Sequence, residues 1–379
     1  MVVATAFGGP DVLSLVEQAV PPPRSGELTI RVIAAGVNPI DYKLYSGAFG
    51  RDPKALPLRL GSEAAGVVTQ VGPDALGSAG PIRVGDEVIA YRPGADVAGF
   101  YATEITVPAE IVVPKPANLG WEEAAGLLLT GATAVHALSV VGLGQRDTVL
   151  IHGVSGGVGR MAAQLAIQRG ARVIGTAGKA RHESLRRHGV EPVGYGPGLA
   201  GRAQERAPGG VHAAIDTVGT DEAVEVSLSL VPDRDRIATI AAFRRGAEAG
   251  IKTLGSAPGA ADPGTEIRSA ARAELVALAA EGKLKVTVAR TFPLRQAAAA
   301  HELIATGHAV ARSSSCREWA AGAHRRFRAA GRRRAPGSPR GGLPRRGGPR
   351  MWSPARPRTA PSARWPMPSR SGRAPSRRG

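Results

Sequence analysis

The chain has 379 residues, 43% of them hydrophobic, enough for two domains with substantial cores. Its single cysteine, Cys316, rules out an internal disulfide framework. No apolar run of 18 residues marks a membrane span, and the amino terminus lacks the basic-then-apolar order of a secretory signal, so a cytoplasmic protein is expected. The net charge of +18 raises nucleic-acid binding, but residues 311–379 alone hold nineteen Arg, no Lys and one acid, Glu318. The rest of the chain is neutral and carries no basic patch that composition reveals.

Over the first 120 residues, short apolar runs at Leu28 to Ile33, Gly66 to Val71, Glu87 to Ala90 and Glu104 to Val107 are separated by Gly and Pro. They predict a small, mostly antiparallel β domain. A different pattern starts at Val149-Leu150-Ile151-His152, an apolar strand that breaks into Gly153-Val154-Ser155-Gly156-Gly157-Val158-Gly159 and opens straight into a helix. Glycines at 153, 156 and 159 allow a tight turn and close approach to a pyrophosphate, which the helix N-terminus then holds. Such a turn also arises for packing alone, and its surroundings strengthen the nucleotide reading. Arg160 to Arg169 reads as an amphipathic helix with Met161, Leu165 and Ala166 at helical spacing, ended by Gly170. A strand at Arg172 to Thr176, a helix near Ala180 to His188, a strand at Val211 to Asp216, a helix near Glu222 to Leu230 and a strand at Arg236 to Ile240 follow. This alternation predicts an α/β fold, a doubly wound parallel sheet of the Rossmann kind.

NAD-specific sheets carry an acid at the end of the second strand, about 20 residues past the glycines, for the ribose 2′-hydroxyl. From Val173 to Arg181 there is no Asp or Glu, but Thr176, Lys179 and Arg181 suit a 2′-phosphate, so NADPH is the expected cofactor. His152, at the strand end beneath the turn, reads as a hydrogen-bonded structural histidine, and His136 as packing; no Ser-His-Asp arrangement is legible.

Four motifs carry a resemblance to the medium-chain dehydrogenase/reductase superfamily, covering residues 1 to 309. They are Ala35-Gly36-Val37-Asn38-Pro39-Ile40-Asp41, Leu60-Gly61-Ser62-Glu63-Ala64-Ala65-Gly66-Val67-Val68, Val84-Gly85-Asp86-Glu87-Val88, and Glu123-Ala124-Ala125 leading to Thr130-Gly131-Ala132-Thr133-Ala134. Zinc members of that superfamily have Cys where this chain has Asn38 and His where it has Ser62, so no metal site is expected and Glu63 reads as structural. The chain looks like the zinc-free quinone oxidoreductase branch. That resemblance implies a GroES-like substrate domain at 1–121, completed by 259–310, and an NADP-binding domain at 122–258. It also implies hydride transfer from NADPH to a quinone or enone in the cleft between them. By motif match, Asn38 and Tyr42 are the catalytic candidates. Thr130 and Thr133 would lie near the nicotinamide ribose and phosphates, and Val218-Gly219 against the ring. Gly153, Ser155, Gly156, Gly157, Val158 and Gly159 would hold the pyrophosphate, and Tyr195 would contact the 2′-phosphate beside Thr176, Lys179 and Arg181. Reduction of an enoyl thioester or alkenal double bond is the nearest alternative, and a non-catalytic cofactor binder or a nucleic-acid binder is the alternative of another class. The resemblance also suggests a homodimer.

The tail 311–379 is rich in Arg, Pro, Gly, Ser and Ala and is expected to be disordered. One reading makes it a nucleic-acid arm, with Trp319, Trp352 and Trp365 stacking on bases. The other, favoured, makes it a shifted reading frame. Val310 to Trp319 can be encoded as GTG GCA AGA TCG TCC TCG TGC CGG GAG TGG, and the same DNA read two bases later gives Gly-Lys-Ile-Val-Leu-Val-Pro-Gly-Val. This resembles the closing strand of the family, and its loss would leave an open edge on the small domain.

Overall fold

Five antiparallel strands build the main sheet of the amino-terminal half, in the order Val112–Pro114, Glu87–Tyr91, Glu63–Val71, Glu27–Ala35, Glu104–Pro108. The computed structural model describes residues 1–93 and 99–307, all within one structural unit; the expectations for the tail lie outside the described residues. Glu27–Ala35 pairs Leu28 with Val71 at one end and Ala35 with Ala64 at the other, with register shifts between Thr29 and Ile30 and between Val32 and Ala34. Such bulges bend a strand and strengthen its twist, letting the sheet wrap its own core. That core contains Leu28, Ile30, Val68 and Val112 and is closed by Phe292, Leu294, Ala297, Ala300 and Ile304, so the end of the described chain returns to the half where it began.

Six parallel strands form the second sheet: Thr148–His152, Arg172–Thr176, Val190–Val193, Ala213–Asp216, Ile237–Thr239 and Lys252–Thr253. Numbered in that chain order, they lie 3-2-1-4-5-6 across the sheet, the doubly wound arrangement that binds ligands where strands 1 and 4 diverge. Thr148–His152 is buried throughout, as a central parallel strand must be when helices cover both faces. The predicted order holds with local differences. The first helix starts at Gly157, because the glycine turn itself forms its opening turn. The expected 180–188 helix divides into a 3-10 turn, Lys179–Arg181, and a short helix, His182–Arg186. The edge strands Val190–Val193 and Lys252–Thr253 were not expected; the first contains Pro192, whose missing N–H is tolerated at a sheet edge.

Trp121–Val140 is long and apolar enough to cross a membrane, a span the sequence reading did not find. Here it is broken into two helices, Trp121–Ala124 and Leu128–Val140, and is mostly buried. The second packs against Gly157–Gln168 and Thr265–Ala280.

Candidate active site

At the carboxyl end of strand 1, Gly153 turns with φ +73°, a left-handed conformation that glycine adopts without strain. A Cβ there would lie 2.5 Å from Val218 Cγ1, so the turn after strand 1 and the loop after strand 4 touch at the switch point. Gly156 caps the helix, and the first bond of that helix joins Arg160 N–H to Gly156 O. The N–H groups of Gly157, Val158 and Gly159 precede it, the position from which helix termini hold anions. Val218, about half exposed, is held by its own loop: Asp216 Oδ1 accepts from the N–H groups of Val218 and Gly219, each at 2.9 Å, and Asp216 Oδ2 accepts from Thr239 Oγ1 at 2.7 Å.

The rim beyond strand 2 carries Lys179 and Arg181 on the 3-10 turn that follows Gly178. The Tyr195 hydroxyl lies 3.7 Å from where a Cβ on Gly178 would stand, and its side chain is exposed. The buried Thr176 hydroxyl accepts from Gly153 N–H at 2.9 Å and braces the turn. Thr130 and Thr133 donate back to Gly126 O and Leu129 O, each at 2.8 Å, so their hydroxyl protons are committed to their own helix.

Asn38 precedes helix Pro39–Ser46 and is 1% exposed. Its N–H donates to Asp41 Oδ2 at 2.7 Å and its Nδ2 donates to Glu63 Oε1 at 3.1 Å, while Oδ1 is buried with no hydrogen-bond partner among the described residues. Glu63 Oε2 accepts from Leu129 N–H at 2.8 Å, which places a carboxyl at the N-terminus of Leu128–Val140 and ties the two halves of the molecule together. Burial raises the Glu63 carboxyl to about 8 and the Asp41 carboxyl to about 7, against the bonds each accepts. Tyr42 is only partly buried and packs against the β core. Tyr101 Oη donates to Asp41 Oδ2 at 3.0 Å, and His301 bridges Tyr101 Oη at 3.1 Å and Tyr45 Oη at 2.8 Å. Asp41 closes the first matched motif without a role assigned to it, and no motif includes Tyr45, Tyr101 or His301. The one local signal was the i, i+4 spacing of Asp41 and Tyr45, which puts both on the buried face of the helix and turns Tyr42 away.

His152 has the kind of structural partner expected: its Nε2 lies 3.1 Å from Ser227 Oγ, which donates to Ala223 O, and burial lowers the imidazole to about 4. The nearby Asp216 spends both oxygens on its loop, so these buried residues do not form a nucleophilic triad. His136 does more than pack, sitting 3.0 Å from Asp262 Oδ2 and accepting from Arg268 Nε at 3.3 Å. Among the described residues no group of three His, Cys, Asp or Glu is placed to hold a metal ion.

A doubly wound nucleotide-binding sheet joined to an antiparallel β half is thus the class that fold and site define. Residues 24–117 match the alcohol dehydrogenase GroES-like domain family and residues 195–312 the zinc-binding dehydrogenase family. Quinone oxidoreductase 1 of Escherichia coli (strain K12) is 32% identical over 316 residues, 78% of this chain and 93% of that protein. Quinone oxidoreductase of Mus musculus is 37% identical over 181 residues, 47% of this chain, so the chain spans about half (52%) of that relative's length. Among solved structures, Escherichia coli quinone oxidoreductase complexed with NADPH has a TM-score of 0.71 at 28% identity, covering 84% of this chain and 99% of that one. The chain belongs to the medium-chain dehydrogenase/reductase superfamily, in its quinone oxidoreductase branch.

Proposed function

We propose that the chain is an oxidoreductase that passes hydride from NADPH to a quinone or another conjugated carbonyl acceptor, with the acceptor between the β half, 1–121 with 259–310, and the cofactor part, 122–258. The observation that carries this reading is the glycine cradle at the switch point, followed by Lys179 and Arg181 with no acid between Val173 and Arg181, and with Tyr195 beside Gly178. The cradle fits a dinucleotide in that a Cβ at Gly159 would press on the backbone of Gly153 and Val154, so glycine there lets the helix N-terminus lie close against the turn. When bound, NADPH supplies the hydride, and a conjugated acceptor spreads the incoming charge and takes up a proton. The chain's own residues orient the reactants and exclude water. Asn38 Oδ1, a buried acceptor without a donor among the described residues, would complete its bonding with an N–H or O–H of a ligand, since leaving it bare costs about 1 to 3 kcal/mol. Val218 would pack against the nicotinamide. Asn38 and Ser62 in place of thiolate and imidazole favour a zinc-free reaction. Homodimerisation belongs to the same reading.

Titrating the full chain with NADPH and NADH by fluorescence, then assaying quinones and enones, tests the reading. Preference for NADPH with turnover supports it, absence of binding to either nucleotide removes it, and a product with a saturated C=C assigns the chain to the enoyl or alkenal alternative. A Lys179→Ala, Arg181→Ala double variant should lose roughly a hundredfold or more in NADPH affinity and leave NADH unchanged, because each charge-assisted hydrogen bond contributes about 1.5 to 3 kcal/mol and two are removed. Equal weakening of both nucleotides would show that these cations do not read the 2′-phosphate.

A further inference from the structure

We propose that His301 is a positioning residue, acting on Asn38 through Tyr101 and Asp41. The inference rests on the reading of Asn38 as a ligand-contacting group. Four side chains, Tyr45, His301, Tyr101 and Asp41, are each at most 1% exposed and form an unbroken run of hydrogen bonds of 2.8, 3.1 and 3.0 Å that ends on the carboxyl holding Asn38 N–H.

The direction of the run follows from Tyr101 donating to Asp41 Oδ2. Tyr101 spends its proton on Asp41 Oδ2, so its oxygen accepts from His301 Nε2–H; His301 Nδ1 is then the acceptor and takes the Tyr45 proton. This is the neutral imidazole, in keeping with burial lowering His301 to about 4. The rings reinforce the order, with Tyr45 stacked on His301 at 5.6 Å and 10°, and Tyr101 meeting it edge-on at 5.5 Å and 63°. Asp41 Oδ2 thereby accepts from both Tyr101 and Asn38 N–H, which fixes the carboxyl and the chain entering helix Pro39–Ser46. Glu63 fixes the Asn38 amide from the other side. With both its backbone and its amide nitrogen held, Asn38 presents Oδ1 in one orientation. Apolar side chains would fill the same core without the cost of burying four polar groups, so the polar run is a device for orientation.

The sequence provides a direct readout, because Asn38 and Asn118 are the only asparagines in the chain. A full-length protein labelled with [15N]asparagine gives two side-chain NH2 pairs, and Asn118, bonded to Ala279 O, serves as the internal reference. In His301→Leu and in Tyr101→Phe the Asn38 pair should shift while the Asn118 pair stays; His301→Gln, which can still donate to Tyr101 and accept from Tyr45, should restore it. With NADPH and a quinone, His301→Leu and Tyr101→Phe should each lower kcat about tenfold with the NADPH Kd unchanged, and the double variant should be no worse than either, as for members of one chain. An Asn38 pair unmoved in folded His301→Leu overturns the proposal, as does a double variant whose losses multiply. If His301→Leu does not fold, Tyr101→Phe, which removes one hydroxyl, decides alone by the same resonance. The resonance is read without turnover, so a chain that reduces no quinone or enone would sink the functional reading while the relay is still tested.

Discussion

Replacing Gly159 with valine should cost at least a hundredfold in dinucleotide affinity. A Cβ at this position would press on Gly153 O and stand 2.8 Å from Val154 Cα and 3.0 Å from Gly153 C. All three are backbone atoms of the turn and cannot rotate aside, so the helix Gly157–Gln168 would have to withdraw from strand 1. Its N-terminal N–H groups would withdraw with it. Losing two charge-assisted bonds to a pyrophosphate, at about 1.5 to 3 kcal/mol each, corresponds to roughly a hundredfold or more. The same clash should lower stability by about 1 to 3 kcal/mol, as overpacking does. Gly201 is the control. It lies inside helix Leu199–Arg206 with open space where its Cβ would be, so Gly201→Ala should leave binding intact and add about 0.5 to 1 kcal/mol of stability. Fluorescence titration and thermal melts of the two variants check both claims. A Gly159→Val protein that binds NADPH normally would move the phosphate site away from this turn.

The contrast between that turn and the Asn38 network explains what the sequence could reveal. The turn is written within eleven consecutive residues, with strand, glycines and helix adjacent, so its chemistry is local and legible. The sheet around it was legible for the same reason, except at its two edges, where Val190–Val193 contains Pro192 and Lys252–Thr253 is only two residues long. The network joins partners 25, 60, 200 and 256 positions apart, and no spacing rule anticipates such pairs. Motif matching therefore selected Tyr42, while the backbone puts its neighbour Asp41 and the next turn's Tyr45 on the buried face. Thr176 shows a second role that its position did not announce: its hydroxyl accepts from Gly153 N–H and braces the turn.

The two carboxyls of that network should make the protein less stable as pH rises from about 6.5 to 8.5. Glu63 is raised from 4.5 to about 8 and Asp41 from 3.8 to about 7, both chiefly by burial, so the folded state holds protons that the unfolded chain has released. Stability changes with pH in proportion to protons bound by the unfolded minus the folded state; that difference is negative here, and the contribution disappears as pH climbs through the folded values. The buried histidines act in the opposite sense. His152 and His301 are lowered to about 4 and His136 is also lowered, so they withdraw stability only as pH falls below about 6.5, where the unfolded imidazoles charge. The exposed side of Asp262 and the Asp147–Arg236 pair have lowered values and act in acid, outside this window. Between pH 6.5 and 8 the Glu63 carboxyl therefore acts with little opposition and is worth on the order of 2 kcal/mol, with a smaller part from Asp41. Thermal melts should show a dome with its maximum near pH 6.5. Glu63→Gln should flatten the alkaline limb, because its amide carries no charge to bury and still accepts Leu129 N–H, while the Asn38 amide can turn Oδ1 toward it. A wild-type Tm that does not fall from pH 6.5 to 8.5, or an equal fall in Glu63→Gln, would mean that Glu63 is already ionised in the folded protein and that its two N–H donors outweigh its burial.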